Sequence, residues 1–159
     1  MITQNLVLEL FEIKNGNLIW KNHKYKLKNG QVAGTKTANG YIRTEIKGKK
    51  YLNHRIIYLM YYGVLPEFID HINGDKTDNR IENLREANAI QNQQNAKIKL
   101  TNKSGIKGVS WHKPLKKWYV QLKINGLVRN FGYYHDLNCA KFVAEAMRYK
   151  YHQQFARTK

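Results

Sequence analysis

Apolar and polar positions in residues 1–53 alternate in short runs broken by turn pairs, which predicts β-structure. Leu6–Ile13 is an apolar start that fits either a short helix or a strand. Asn15-Gly16-Asn17 is a turn before Leu18-Ile19-Trp20, and Asn29-Gly30 and Asn39-Gly40 are further turn signals. Tyr41–Ile46 alternates, Lys47-Gly48-Lys49 turns, and Lys50–His54 returns as a hairpin partner. Residues 55–62 (RIIYLMYY) are densely apolar. They predict a short helix, capped by Asn53 or His54 and ended at Gly63. Phe68–Ile72 predicts a strand, Ile81–Glu86 a second strand, and Asn88 the cap of a helix reaching roughly Lys97.

Residues 105–159 carry a different pattern. Ile106–Trp111, Trp118–Ile124 and Leu127–Tyr133 read as strands, the last two joined by Asn125-Gly126. Trp118, Val120, Leu122 and Ile124 fall on one face, Tyr119, Gln121 and Lys123 on the other. The return strand puts Phe131 opposite Val120, with Val128 and Asn130 on the polar face. Asp136 caps a helix to about Phe155, whose Leu137, Ala140, Val143, Ala144, Met147 and Tyr151 form a stripe able to cover the sheet. The predicted class is α+β. An N-terminal domain, 1–98, is β-rich and holds a strand–loop–strand–helix core over about 68–97. A linker, 99–104, leads to a domain at 105–159 built from a three-stranded antiparallel sheet and a helix.

Charge changes the picture from fold to partner. The 159 residues hold 28 Lys+Arg against 11 Asp+Glu, a net +17. That surplus exceeds what solubility needs and points to a polyanion, most simply nucleic acid. Residues 101–159 are the more basic part, at +10. Aromatics at 12% argue against a disordered basic tail. The one cysteine, Cys139, excludes an intramolecular disulfide and a Cys-rich zinc site. The first residues lack the pattern of a secretion signal, and no apolar run approaches the roughly 18 residues of a membrane span. A soluble, cytoplasmic protein with no membrane partner is expected.

The chemistry concentrates in Asp70–Asn95, which packs one His, three Asp and six Asn into 26 residues. Asn is a poor helix and strand former, so this density suggests that its oxygens and amides are used. A phosphodiester is anionic and has a poor leaving group. Its hydrolysis needs a base for water and positive charge at the departing oxygen. His71 is the natural base because an unperturbed imidazole titrates near neutrality. Asp70 offers a hard oxygen suited to Mg²⁺ or Mn²⁺. Adjacent on a strand, the two side chains point to opposite sides. Asn92, one turn beyond the Asn88 cap, offers a second ligand. Asn83 is placed to accept from His71 Nδ1–H and fix the tautomer.

The run Asp70-His71-Ile72-Asn73-Gly74, then Asp78-Asn79-Arg80-Ile81-Glu82-Asn83-Leu84-Arg85, then Gln91-Asn92 and Asn95, resembles the HNH nucleases. It is most similar to phage and intron-associated homing endonucleases with the ββα-metal motif. The resemblance implies His71 as base, Asn83 as its orienter, and Asp70 with Asn92 as ligands of one divalent metal, Mg²⁺ or Mn²⁺ but not zinc. Many HNH enzymes carry His where Asn92 stands. Downstream, Ser104–Trp111, Lys117-Trp118, Phe131-Gly132-Tyr133 and Ala140…Ala144 resemble an AP2 domain. That resemblance implies a sheet entering the major groove of double-stranded DNA. The candidate contacts carried over are Lys107, Ser110, His112, Lys113, Gln121, Lys123 and Asn130.

The function expected is metal-dependent endonucleolytic cleavage of DNA, by a homing enzyme of phage or mobile-element origin. The rival is a DNA-binding protein or regulator whose HNH centre is inactive. One centre per chain favours a monomer that nicks, whereas a dimer would cut both strands.

Overall fold

The protein is described here from a computed structural model, which covers residues 2–89, 91, 98 and 101–156. The chain forms two compact units, Met1–Ala87 and Asn88–Lys159. Each mixes small antiparallel sheets with helix, as the α+β reading expects.

In the first unit, α1 (Gln4–Leu10) runs directly into β1 (Phe11–Lys14), so the ambiguous Leu6–Ile13 stretch contains both helix and strand. Thr3 caps α1 by accepting from the Leu6 amide. β1 pairs antiparallel with β2 (Asn17–Trp20) across the Asn15-Gly16 turn. β3 (Thr35–Lys36), β4 (Ile42–Ile46) and β5 (Lys49–Leu52) form a second sheet in that order, with β4 and β5 joined by the Lys47-Gly48 turn. α2 (Asn53–Tyr62) follows at once and ends at Gly63, whose φ of 74° supplies the left-handed turn that a Cβ disfavours. Leu52 rather than Asn53 or His54 holds the cap position. Asn53 is instead buried and structural: its amide donates to Ala33 O at 2.9 Å, and its oxygen accepts from Thr44 Oγ1 at 2.7 Å. It ties the helix start to the sheet.

Ile56 and Ile57 of α2 are completely buried against Val7, Phe11, Leu18, Ile46, Ile69 and Leu84. Each such side chain contributes on the order of 1.5–3 kcal/mol through removal from water. Ile69 and Leu84 belong to the last hairpin, β6 (Phe68–His71) with β7 (Leu84–Ala87), so the core anchors the strands that carry the Asn-rich chemistry. The second strand begins later than its hydrophobic pattern suggests. Ile81–Asn83 are a 3₁₀ turn closed by Asn83 N–H to Arg80 O at 2.9 Å, and extended pairing starts only at Leu84.

Asn88 caps the next helical turn. Its Oδ1 accepts from the Gln91 amide and Gln91 Oε1 accepts from the Asn88 amide, both at 2.8 Å, a reciprocal capping box. Asn92 and the rest of the expected helix lie outside the described residues.

The second unit contains β8 (Val109–His112), β9 (Lys117–Ile124) and β10 (Leu127–Tyr134) in the order β10-β9-β8, with α3 (Leu137–His152) packed on one face. Asp136 caps α3 by accepting from the Cys139 amide at 2.9 Å. Val109 and Val120 meet Ala140 and Ala144 at full burial. Arg148 is also buried, which the apolar stripe does not anticipate. Its Nη1 donates to Lys107 O while its stem lies in the helix–sheet seam.

Gly16 couples the first hairpin to the Asn-rich loop. A Cβ there would stand 2.7 Å from the Arg80 amide nitrogen and 3.1 Å from the Asn79 carbonyl carbon, at φ +75°. Gly48 has nearly the same φ, +76°, and open space around it. Urea unfolding should therefore show Gly48→Ala costing about 1 kcal/mol, the strain of the turn alone, and Gly16→Ala costing clearly more. Equal losses would show that the close approach to Asn79 and Arg80 has no energetic weight.

Candidate active site

β6 and β7 pair antiparallel with Asp70 opposite Arg85 and His71 opposite Leu84. Directly opposed residues share a face, so the register puts a guanidinium beside the carboxylate. Arg85 Nε and Nη2 both donate to Asp70 Oδ2, at 3.1 and 2.9 Å. The pair is sheltered, with side-chain exposures of 14% and 8%. His71, on the other side of the strand, is 4% exposed. The expected opposition of Asp70 and His71 across the strand thus has separate surroundings on its two sides.

His71 Nε2 lies 3.0 Å from Oδ1 of Asn79, a residue 2% exposed. A carbonyl oxygen can only accept, so the ring carries its proton on Nε2 in this contact. The sequence reading gave the orienting bond to Asn83, through Nδ1. In the structure, the Asn83 side chain is engaged in the loop instead. Its Oδ1 accepts from the Asn73 amide at 3.0 Å, and its Nδ2 donates to Asn73 Oδ1 at 3.0 Å and Asp78 O at 2.7 Å. The early 3₁₀ turn explains this, because it turns Asn83 toward the loop rather than along a strand face. Its backbone carbonyl still accepts from the Ile72 amide at 2.9 Å, just beyond the end of β6.

The loop between the strands is cross-linked by its own polar side chains. Asn73 Nδ2 donates to Asp78 Oδ2, and Asp78 receives a two-pronged pair from Arg80, with Nε and Nη2 each at 2.8 Å. These bonds, the Arg80 ones above all, hold the Asp78 carboxyl down to about 2. Asp75 accepts from the Thr77 amide and hydroxyl, which lowers its pKa as well. A loop held in this way presents Asn79 to His71 at a fixed position.

Two aromatic residues complete the surroundings. The His54 ring meets His71 edge-on at 5.0 Å, and Tyr41 lies 5.3 Å from His54 and 6.0 Å from His71. Lys76 Nζ sits 4.5 Å over the Tyr41 ring and donates to Asn39 O. Burial, and then the nearby Asp70 carboxylate, raise the Tyr41 pKa. Burial, and then the charges of His71 and Arg55, lower His54 to about 3. The sequence alone offers His54 as a helix cap and gives no role to Tyr41. The 3.6-residue spacing of α2 alone gives no sign that His54 reaches His71. Nor does the sequence alone give a role to Asn79 or Arg85. Arg85 could have been found from the register of β6 and β7, but the loop between them is too long to fix a register by turn type.

Among the described residues, no three His, Cys, Asp or Glu side chains converge as a metal cluster. Asp70 offers a hard carboxylate oxygen on β6, and Asn92 lies outside the described residues. Of the candidate DNA contacts, Ser110, His112, Gln121, Lys123 and Asn130 share the face of the second sheet turned away from α3. Lys113 is exposed in the turn after β8, and Lys107 precedes β8. Two of the contacts have local duties: His112 Nδ1 accepts from the Leu115 amide, and Asn130 Oδ1 accepts from the Gly132 amide.

A sequence profile of the HNH endonucleases matches residues 51–94, from the end of β5 through α2 and the β6–β7 hairpin. The chain is 34% identical over 97 residues to Protein 3.8 of Escherichia phage T7, an alignment covering 60% of this chain and 79% of that protein. The chain belongs to the same family as Protein 3.8 and carries an HNH endonuclease domain. No solved structure matches it. Among the described residues, no helix is long and apolar enough to cross a membrane.

The HNH domain also makes a pH prediction. His54 is neutral in the fold, with a pKa of about 3, whereas an unfolded histidine titrates near 6.5. On acidification the unfolded chain gains this proton first. The contribution is therefore complete above pH 6.5 and is lost as pH falls toward 3. Urea unfolding should show about 2 kcal/mol of stability lost through this group between pH 7 and pH 5. His54→Phe should flatten the slope by that amount. An identical slope in parent and variant would contradict the burial of a neutral imidazole.

Proposed function

We propose that this chain is a metal-dependent DNA endonuclease in which His71 is the general base and Asp70 a metal ligand. The observation that carries the reading is the pairing of a buried imidazole of defined tautomer with a buried carboxylate on adjacent positions of one strand, inside an HNH domain. Asn79 holds the ring through Nε2, and in the proposal the imidazole takes the proton of water. The water oxygen attacks phosphorus, the bond to the leaving oxygen breaks, and solvent protonates that oxygen. General-base help of this kind is worth ~10²–10⁴-fold.

The donor chemistry at Asp70 fits a hard divalent cation, Mg²⁺ or Mn²⁺, with Asn92 as second ligand in the proposal. Arg85 Nε and Nη2 both donate to Asp70 Oδ2. A bound metal would supply positive charge to the phosphate and the departing oxygen. Asn79 positions the base directly, and Asn83 positions the loop that carries Asn79. The homing role rests on the likeness of the motif spacing to homing enzymes. For the second unit we propose an AP2-like tether, with Lys107, Lys113 and Lys123 toward phosphates and Ser110, His112, Gln121 and Asn130 nearer the bases. A monomer with one centre would nick its substrate.

One observation favours a second reading, that of a DNA-binding protein with an inactive centre: Arg85 already neutralises Asp70. A plasmid assay with Mg²⁺ or Mn²⁺ separates the two. The parent should convert supercoiled DNA to the nicked form, and His71→Ala, shown to be folded by circular dichroism, should be at least about 10²-fold slower. A parent that leaves plasmid intact across metals and DNA substrates would leave only the binding reading.

A further inference from the structure

We propose that the open face of the β8–β10 sheet is a stacking site for unpaired bases, so that the second unit takes single-stranded DNA. This rests on the DNA-tether reading above but puts base stacking in place of the groove contact that the AP2 resemblance implies, and it does not require the nuclease centre to be active.

The face is defined by register. Ser110 stands opposite Tyr119, His112 opposite Lys117, and Tyr133 opposite Tyr119 on the other edge. The opposite face is the one that α3 covers through Val109 and Val120. His112, Tyr119 and Tyr133 therefore gather on the side that serves no core. Their rings are in mutual contact. Tyr119 and Tyr133 stack at 5.7 Å with planes 21° apart, and His112 stands edge-on to them at 6.1 and 5.2 Å. Tyr133 is 40% exposed.

A backbone irregularity builds this group. Between Asn130 and Tyr133 the β9–β10 register shifts by one residue. The regular ladder from Asn130↔Gln121 would set Gly132 opposite Tyr119 and turn Tyr133 toward α3. The bulge instead brings Tyr133 to the open face and sends Tyr134 to the covered one, opposite Trp118. Gly132 accommodates it with φ +114°, Asn130 Oδ1 accepts the Gly132 amide at 2.8 Å, and Tyr134 Oη donates to Phe131 O at 2.7 Å. Bulges of this kind re-aim side chains. Here two bonds and a glycine are used to put a second tyrosine beside the first.

The charge around the rings selects the occupant. Along β9, Lys117 and Lys123 fall on the same face as Tyr119 and Gln121, spaced over about 20 Å. The acidic residues of 101–159 are Asp136 and Glu145, in the α3 cap and in α3 itself, and the stretch is +10 overall. A cationic strip with aromatic rings at its centre matches phosphates flanking exposed bases. Duplex bases are stacked on each other and offer only their edges in the grooves, whereas unpaired bases have free π-faces.

Fluorescence anisotropy on the full chain in EDTA, where no metal-dependent cleavage occurs, tests the idea. The probes are a labelled single-stranded DNA oligonucleotide, its duplex, the same strand with abasic sites, and the RNA of the same sequence. The parent should bind the single strand more tightly than the duplex and at least about ten-fold more tightly than the abasic strand. Tyr119→Ala and Tyr133→Ala should each weaken binding to the intact strand about ten-fold and leave the abasic strand unchanged. Equal binding to intact and abasic strands in the parent would overturn the proposal without any variant being needed. Tighter binding to the duplex would also overturn it in favour of groove reading, as would a preference for RNA over DNA. A failed cleavage assay leaves all of these outcomes readable.

Discussion

Asp70 and Arg85 face each other across two short strands, and the arrangement of the HNH hairpin depends on that juxtaposition. Both side chains are largely out of water, so neither can lose its partner cheaply. Removing one member of such a pair typically costs about 3–5 kcal/mol because the other charge is left buried. A slip of one residue between β6 and β7 would break the pair and would also turn Ile69 or Leu84, whichever strand moved, out of the core. The hydrophobic pattern and the ion pair thus specify the same register. That register sets His71 on the side where Asn79, His54 and Tyr41 gather.

The loop between these strands is short of apolar anchors and is held instead by hydrogen bonds. Asn73, Asp78, Arg80 and Asn83 form one connected network, and Gly16 presses the first hairpin against its far side. The network explains why asparagine is so dense here. An amide both donates and accepts, so Asn83 can bind the Asn73 amide, the Asn73 oxygen and the Asp78 carbonyl with one side chain. Aspartate in its place could make only the accepting bond. The rigidity of the loop then reaches His71 through Asn79.

Features governed by local rules were legible in the sequence. Gly63 ends α2, Asn15-Gly16 and Asn125-Gly126 turn hairpins, Asp136 caps α3 and Asn88 caps its turn, each through backbone geometry set within four residues. Features set by tertiary partners were not. Asn53 resembles a helix cap, but a buried carbonyl and a buried hydroxyl 20 and 9 residues away claim its side chain. Ile81–Asn83 alternate like a strand, but the loop network pulls them into a 3₁₀ turn. The β10 bulge leaves no mark beyond Gly132, so the exchange of faces between Tyr133 and Tyr134 is visible only in the pairing. Of the four residues first assigned to the centre, Asp70 and His71 sit on one strand as expected, Asn83 lies one step further from the ring, and Asn92 lies outside the described residues.

The division of labour between Asp70 and His71 is the central claim, and Mn²⁺ binding tests it apart from turnover. Electron paramagnetic resonance titration of the full chain should show one Mn²⁺ bound per chain. Asp70→Asn should abolish that binding while His71→Ala retains it, because the proposal puts the metal and the base on opposite sides of β6. Asp70→Asn binding Mn²⁺ as tightly as the parent would contradict the assignment of the metal to this carboxylate.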